Sequence, residues 1–477
     1  MFEDTCQTHL SAAKNALDTG NFSQLVQSLL TCLKNNPTDP SLHNDLAKAY
    51  LKLGDRHAAK RHFIEALHLN PHRIETLYAF ARFHRQEGHV SESIRYFQKA
   101  LRINPLSADT HYQLAHTYAT QNQFDLALTH YLAALQYGIE GKNIHQNIGM
   151  LYFNEQTWEK AIFHLQKAFD EAPNDLIGLP LGQALLNMGQ IQLAEHVYRQ
   201  IIKHCPSCHD AHHNLAILYL KNQDSLAAKR HFKVALALQP DNATAQHMLT
   251  ALSPSKKSPP KTAPLSYTSA LFNQYAPYYN QHMKALKCDV PLVIRNTLGQ
   301  LFSTQTQPLR VLDLGCGTGQ CGLYCRDLAY HLSGVDISEE MLRIAKKLGA
   351  YDNLIECSIA QYLEETEETF DIIIAAEVLN YVGDLSKLWQ SILKALNPKG
   401  CFIFTTEHPS QTFINANTHA YYLEKTGRFS HNPDAIQTDI TAHPELFIKT
   451  YQDLTLRKSD EMLILGRLWC VSKYEKE

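Results

Sequence analysis

Val311-Leu312-Asp313-Leu314-Gly315-Cys316-Gly317-Thr318-Gly319 is a short apolar run that carries an acid just before its last apolar residue, then breaks into alternate glycines. Glycines there let the backbone turn sharply and leave no Cβ in the way, so a ligand can lie against the main chain. A helix is predicted directly afterwards, from Gln320. Its free amide groups and positive dipole end would face the same spot, which suits a carboxylate or phosphate.

Working outward, strand and helix patterns alternate. Strands are predicted over 310–314, 331–335, 353–357, 370–375 and 401–406, with helices over 320–328, 339–348, 361–365 and 385–396. Such alternation implies a parallel sheet covered on both faces. Two further strands, 446–456 and 462–472, are expected as a hairpin turning at Ser459-Asp460. Ahead of the sheet, the aromatic stretch Leu271–Asn280 opens a helical region reaching roughly to Leu301.

Glycine loop, five parallel strands and terminal hairpin together resemble the class I S-adenosylmethionine-dependent methyltransferases, with a Rossmann-like α/β fold. The reading G-x-G-x-x-G (Gly317, Gly319, Gly322) also fits a dinucleotide site, but dehydrogenases normally carry an apolar residue where Asp313 stands. The resemblance implies S-adenosyl-L-methionine as cofactor and assigns roles to individual residues. Asp313 would reach the methionine ammonium group, while Gly315, Cys316, Gly317 and Gly319 let the backbone approach. Asp336 would accept from both ribose hydroxyls, although the same acid also suits a helix cap before Ser338. Ile337 and Met341 would lie on the adenine side, with Ser358 and Ile359 near its amino group. Tyr279, from the aromatic leader, would cover the cofactor.

On the acceptor side the segment Ala375–Tyr381 lacks an Asn-Pro-Pro-Tyr type motif, so nucleic-acid bases and amide side chains are not the expected substrates. Glu377, His408 and His431 are the candidate catalytic groups, and Glu377 also borders the cofactor. Arg428, His431 and Tyr381 are the candidate substrate contacts. Gly427-Arg428-Phe429-Ser430-His431 and Leu456-Arg457-Lys458 match a bacterial family of predicted methyltransferases that also carry tetratricopeptide repeats. No metal-ligand spacing is evident in this half, and no metal is expected.

The first half is periodic. Pro37, Pro71, Pro105, Pro173, Pro206 and Pro240 fall at intervals of 34 residues or twice that, with one of 33. Between them a pattern returns, as in Leu46-Ala47, Tyr50, Gly54, Ala59, Phe63 and Ala66. This resembles the tetratricopeptide repeat, two antiparallel helices per unit with small residues where they touch. Seven units are expected, the first over about 6–37, capped by a helix over Asp241–Leu252. Stacked units form an all-α superhelix with a concave groove. Asn44, Lys48, Tyr78, Arg82, Arg85, Tyr112, His116, Gln146, Met150, His213 and Ile217 are predicted to line it, offering a protein or peptide partner a mixed surface.

Residues 253–264, rich in proline, serine and lysine, read as a solvated linker. The expected domains are thus a repeat array over 1–252 and a methyltransferase domain over 265–477. A length of 477 residues suits two or three domains, and a net charge of −3 gives no footprint for nucleic acid. Met1-Phe2-Glu3-Asp4 lacks the features of a signal peptide, and no apolar run would span a bilayer. The eleven scattered cysteines are therefore expected as reduced thiols in a cytoplasmic protein without a membrane partner. Cys205-Pro206-Ser207-Cys208-His209 spells the haem-attachment pattern, yet Pro206 is also the repeat's turn proline. The expected function is methyl transfer to a protein or small-molecule acceptor, with the repeats recruiting a partner. The alternative is an interaction scaffold whose second half senses S-adenosylmethionine or is inactive.

Overall fold

A computed structural model describes residues 13–14, 16–253, 259–303, 307, 309–410, 413, 419–459 and 462–475. The chain divides into two compact units, Met1–Ala211 and His212–Glu477. Among the described residues no helix is long and apolar enough to cross a membrane.

The first unit is built of helical pairs. Pro40–Leu53 pairs with Arg56–Leu69, Ile74–Gln86 with Val90–Ile103, Ala108–Ala119 with Phe124–Gln136, and Lys142–Asn154 with Trp158–Glu171. Asp175–Asn187 with Ile191–His204 completes the series, and Phe22–Asn35 opens it. The first expected unit begins before the described residues. Asp39, Asp55 and Asn174 accept from amides of the first turn, which explains the polar residue at the start of those helices. Ala47, Ala59, Ala66, Ala81 and Ala100 are fully buried, because helices approach closely only where side chains are small. In the pair Asp175–Asn187 and Ile191–His204 a Cβ on Gly182 would stand 2.4 Å from the Tyr198 ring, so glycine makes room for a tyrosine. Cys208 N donates to Cys205 O at 3.0 Å, making the C-x-x-C segment an inter-helix turn.

A second regularity concerns histidines. His43 and His62, His111 and His130, and His145 and His164 join the two helices of their pairs through Nδ1···Nδ1 hydrogen bonds of 3.0, 2.8 and 2.8 Å. His212 and His231 repeat the contact at 3.0 Å within the second unit. One Nδ1 must donate and the other accept, so the two rings of each pair take opposite hydrogen-bonding roles.

The second unit contains a seven-stranded sheet of order β3-β2-β1-β4-β5-β9-β8. The strands are β1 (Leu309–Leu314), β2 (Ala329–Asp336), β3 (Asn353–Glu356), β4 (Phe370–Ala375), β5 (Leu396–Glu407), β8 (Leu446–Ser459) and β9 (Met462–Lys473). The first five are parallel, and β9 runs antiparallel to β5 and β8. Their order reverses between β1 and β4, and a crevice outside the carboxyl ends of strands is where open α/β sheets bind ligands. Alternate strand residues serve opposite layers. Val311, Ile372 and Ile403 pack with Ile294 and Leu298 of helix Val290–Leu301, whereas Leu312, Ile373 and Phe402 pack with Trp389 and Ile392 of helix Ser386–Ala395.

Three features depart from the expected layout. The helix after the glycine loop spans only Gln320–Cys325, tightening to a 3-10 turn over Arg326–Leu328, so its dipole is weaker than a full helix would give. The segment before the hairpin holds β6 (Tyr421–Leu423) paired with β7 (Phe429–His431), then helix Pro433–Thr441. Asp460 of the expected hairpin turn lies outside the described residues, as do 254–258 of the proline-rich stretch. In the remainder of that stretch Lys261 and Thr262 are exposed as expected, but its end is tied down. Ala263 is buried, its amide donates to Tyr381 O at 3.0 Å, and Lys261 O accepts from Gly383 and Asp384 at 2.9 and 2.8 Å. The last helical pair, ending in Ser225–Leu238, and the final helix Ala243–Ala251 lie largely in the sheet's own compact unit.

Candidate active site

The glycine loop is pinned to the end of β2. Gly315 and Cys316 donate to Val335 O at 2.7 and 3.0 Å, and Gly317 N donates to Asp336 Oδ2 at 2.9 Å. Gly315, Gly317 and Gly319 have φ values of 68°, 54° and 90°, the left-handed region that side chains disfavour. A Cβ on Gly315 would stand 2.3 Å from Val378, while one on Gly317 would meet nothing within 4 Å. The first glycine thus admits the loop after β4, and the second leaves the backbone open to a ligand. Cys316 and Met341 are buried. Gly322 has a different duty: a Cβ there would be 2.2 Å from the ring of Tyr351.

Asp313 is 1% exposed. Its Oδ2 accepts from the Tyr351 hydroxyl at 2.6 Å, and its Oδ1 is buried with no partner. Burial raises its pKa to about 7, against the Tyr351 hydrogen bond that lowers it, with the Asp336 charge raising it further. An orphaned carboxylate oxygen beside an open glycine loop fits an ammonium donor, since a buried acceptor without a donor is costly. Asp336 accepts from Gly317 N and, through Oδ1, from Ser338 N at 2.9 Å each. Burial pushes this carboxyl up while those amides pull it down. Each oxygen keeps a second lone pair for a hydroxyl donor. Ser338, rather than Asp336, caps the next helix, its Oγ accepting from Met341 N at 3.1 Å.

The aromatic leader, helix Leu265–Tyr275, a 3-10 turn and helix Tyr279–Ala285, crosses these strand ends. Asn273 Oδ1 accepts from Ser338 Oγ at 2.7 Å, Ser269 Oγ donates to Ile337 O at 3.5 Å, and Asn280 Oδ1 accepts from Thr318 Oγ1 at 2.6 Å. Burial raises the Tyr279 phenol pKa, with Cys288 and Glu377 adding to it, and its ring packs edge-on against Tyr275 at 5.4 Å. Ser358 is occupied as the cap of helix Ile359–Glu365, accepting from Gln361 N at 3.2 Å.

Beyond β4 and β5 lies a charge cluster. Glu377, at a left-handed φ of 54°, contacts Arg457 Nη1 and lies 3.4 Å from Arg428 Nη2. Glu407 Oε1 accepts from Arg428 Nε at 2.6 Å, Arg457 Nη2 at 2.8 Å and Asn380 Nδ2 at 2.9 Å. The Arg428 guanidinium also sits over the Tyr381 ring, 5.4 Å from its centroid. Two carboxylates and two guanidiniums balance, which makes their burial tolerable. Glu407 is held below the usual carboxylate range by the two arginines despite its burial, and Glu377 is raised chiefly by burial.

The structure therefore brings Glu377, Tyr381 and Arg428 together. It does not bring His408 or His431 to their charged groups by hydrogen bonding. His408 Nε2 lies 3.6 Å from Asp453 Oδ1 on β8. His431 Nε2 donates to the Val382 and Gly383 carbonyls at 2.9 and 3.2 Å, and burial lowers its pKa to about 4. Tyr351, Glu407 and the pairing role of Arg457 were not foreseen. Glu407, the residue directly after a strand run ending at Thr406, is an acid at a strand's carboxyl end, and that was the available signal.

Comparison with known proteins agrees with this layout. A methyltransferase-domain model matches residues 305–443, and tetratricopeptide-repeat models match 44–108, 96–129 and 179–246. The human mitochondrial ubiquinone biosynthesis O-methyltransferase is 31% identical over 148 residues, covering 29% of this chain and 39% of that protein. The malonyl-[acyl-carrier protein] O-methyltransferase of Enterobacter lignolyticus (strain SCF1) is 27% identical over 138 residues, covering 29% of this chain and 52% of that protein. The chain thus spans 39% and 52% of the lengths of these two curated relatives. Among solved structures, YrrB, a TPR protein with an unusual peptide-binding site, aligns at 22% identity and a TM-score of 0.37 over 39% of this chain and 96% of its own. The chain carries tetratricopeptide repeats followed by a class I methyltransferase domain.

Proposed function

We propose that this protein transfers a methyl group from S-adenosyl-L-methionine to a small-molecule or protein acceptor, while its repeats hold a protein or peptide partner. The observation that carries the reading is the orphaned Oδ1 of Asp313, buried beside the open backbone of Gly317 and one strand away from Asp336. Asp313 would hold the ammonium group, Asp336 the ribose hydroxyls, and Ile337 with Met341 the adenine side. Bound there, S-adenosylmethionine supplies a methyl group already activated on a sulfonium. The chain's own task is alignment and exclusion of water. Tyr279 and Tyr381 cover the site, and the Glu377–Arg457–Glu407–Arg428 cluster forms a fixed, charge-balanced wall on the acceptor side. With Glu377 already bound to guanidinium, it serves to orient an acceptor rather than to remove its proton.

The O-methyltransferase names of the relatives support an oxygen acceptor. For the partner, a cleft of about 1080 Å³ in the first unit is lined by Lys48, Tyr78 and Arg82, three of the residues expected to face the groove. A cytoplasmic setting is part of the same proposal. Calorimetric titration with S-adenosylmethionine and S-adenosylhomocysteine tests the cofactor. Radiolabelled methyl transfer in lysate then tests turnover, and binding without labelling would favour a sensor or scaffold.

A further inference from the structure

The final helix of the repeat region, Ala243–Ala251, packs against the acceptor side of the sheet domain. His247, 3% exposed, donates from Nε2 to Gly427 O at 2.8 Å, and its ring lies 4.6 Å from that of Tyr267. Gly427 is the turn between β6 and β7, with φ of 79° and its amide bonded to Glu424 O at 2.9 Å. A Cβ on it would stand 2.8 Å from Met248 Sδ and 3.0 Å from the Tyr267 hydroxyl, so the turn is seated tightly in the repeat helix. The next residue is Arg428, whose guanidinium reaches Glu407 and Glu377.

The end of the proline-rich stretch holds the loop after β4. Thr262 bridges Val382, and Ala263 N donates to Tyr381 O. Ala251, Ala263, Tyr267, Tyr381, Leu423 and Phe429 share one apolar cluster. Both loops that present polar groups beyond β4 and β5 are therefore fastened to the segment that closes the repeats.

We infer that His247 is a positioning residue: by holding Gly427 it aims the Arg428 guanidinium at Glu407 and Glu377, so the repeat region completes the acceptor wall. The role of that wall in methyl transfer rests on the proposed function; the aiming of Arg428 does not. A hydrogen bond to a turn carbonyl fixes the direction of the following residue, and small misplacements at a reacting site cost large factors in rate.

The test uses the full-length protein. His247→Leu keeps bulk and removes the donor, whereas His247→Gln retains an N–H at similar reach. Brief treatment with p-hydroxyphenylglyoxal, followed by peptide mass spectrometry, reads each arginine separately. Arg428 labelling rises about tenfold in His247→Leu, Arg457 stays protected, and His247→Gln restores Arg428 to within about twofold. Methyl incorporation in lysate falls in parallel at unchanged S-adenosylmethionine affinity. Unchanged Arg428 labelling in His247→Leu overturns the inference. So does a joint rise of Arg428 and Arg457 that glutamine fails to reverse, which would mark His247 as packing only. If the leucine variant does not fold, His247→Met, which also lacks a donor, takes its place under the same criterion. The labelling pattern in a chain that binds no S-adenosylmethionine would retire the methyl-transfer reading and keep this one.

Discussion

Tyr351 and Asp313, on opposite sides of β2 in the chain, meet through a 2.6 Å hydrogen bond that leaves the other oxygen of Asp313 buried and unpaired. Burial lifts this carboxyl to about 7, and the tyrosine opposes the lift. The ionised form binds an ammonium group with its full charge through the free oxygen. Affinity for S-adenosylmethionine should therefore rise with pH, by about eightfold between roughly pH 6 and 7.5. Tyr351→Phe should weaken binding and move the profile to higher pH. Titrations flat across that range would exclude the assigned contact.

The same acid makes a stability prediction. Its folded pKa lies above the unfolded value near 3.8, so the unfolded chain releases its proton first. Stability is fully present below that value and declines as pH rises towards 7. Asp313→Asn should thus stabilise the cofactor-free protein at neutral pH, on the order of 2 kcal/mol, while abolishing cofactor binding. Denaturant melts of both forms check this. A destabilised asparagine variant would mean the carboxylate has a partner after all.

Arg457 is 8% exposed and contacts both Glu377 and Glu407. Removing it leaves two buried carboxylates sharing Arg428. Arg457→Met should cost about 3–5 kcal/mol, and adding Glu377→Gln should return part of that loss. Urea midpoints of the single and double variants measure the coupling. Simple additivity would show that the cluster does not act as one unit.

Much of this was legible in the sequence because it is local. The glycine loop, the strand alternation and the repeat prolines each lie within one short window, and β1 to β5 form where the apolar runs place them. What escaped depends on pairing across distance. Glu377 and Arg457 are separated by 80 residues, and Tyr351 and Asp313 by 38, so no window contains both partners. The proline-rich stretch misled because composition signals solvation, whereas its end is held by the loop after β4. The histidine doublets were readable in principle. The same residue recurs 19 positions apart in four units, a period the small-residue pattern overshadowed.

Those doublets should sensitise the repeats to acid. Burial, then the partner ring, lowers His130 and His164 to about 4. Their folded pKa lies below the unfolded value near 6.5, so the stabilisation is present above that value and is lost as pH falls towards 4. The melting temperature should drop by roughly 5 °C between neutral pH and about pH 5. Replacing His111 and His130 together by leucine and phenylalanine should flatten that slope. An unchanged slope in the double variant would contradict the assignment.

Placing the final helix in the sheet's compact unit predicts where the chain can be cut. A fragment starting at residue 209 keeps Met248 and Ala251 with Tyr267 and Phe429, which are 5% and 0% exposed. One starting at 253 uncovers them and should lose about 3 kcal/mol of stability. Equal melting of the two fragments would show that residues 209–252 are dispensable to the fold.

The most direct measurement is the affinity of S-adenosylmethionine for the full-length protein and for Asp336→Ala, by titration calorimetry. Two charge-assisted hydrogen bonds to the ribose are at stake, so the substitution should weaken binding at least about tenfold. An alanine variant that takes up the cofactor as tightly as the unaltered protein would contradict the placement of the donor over the loop between β1 and its helix.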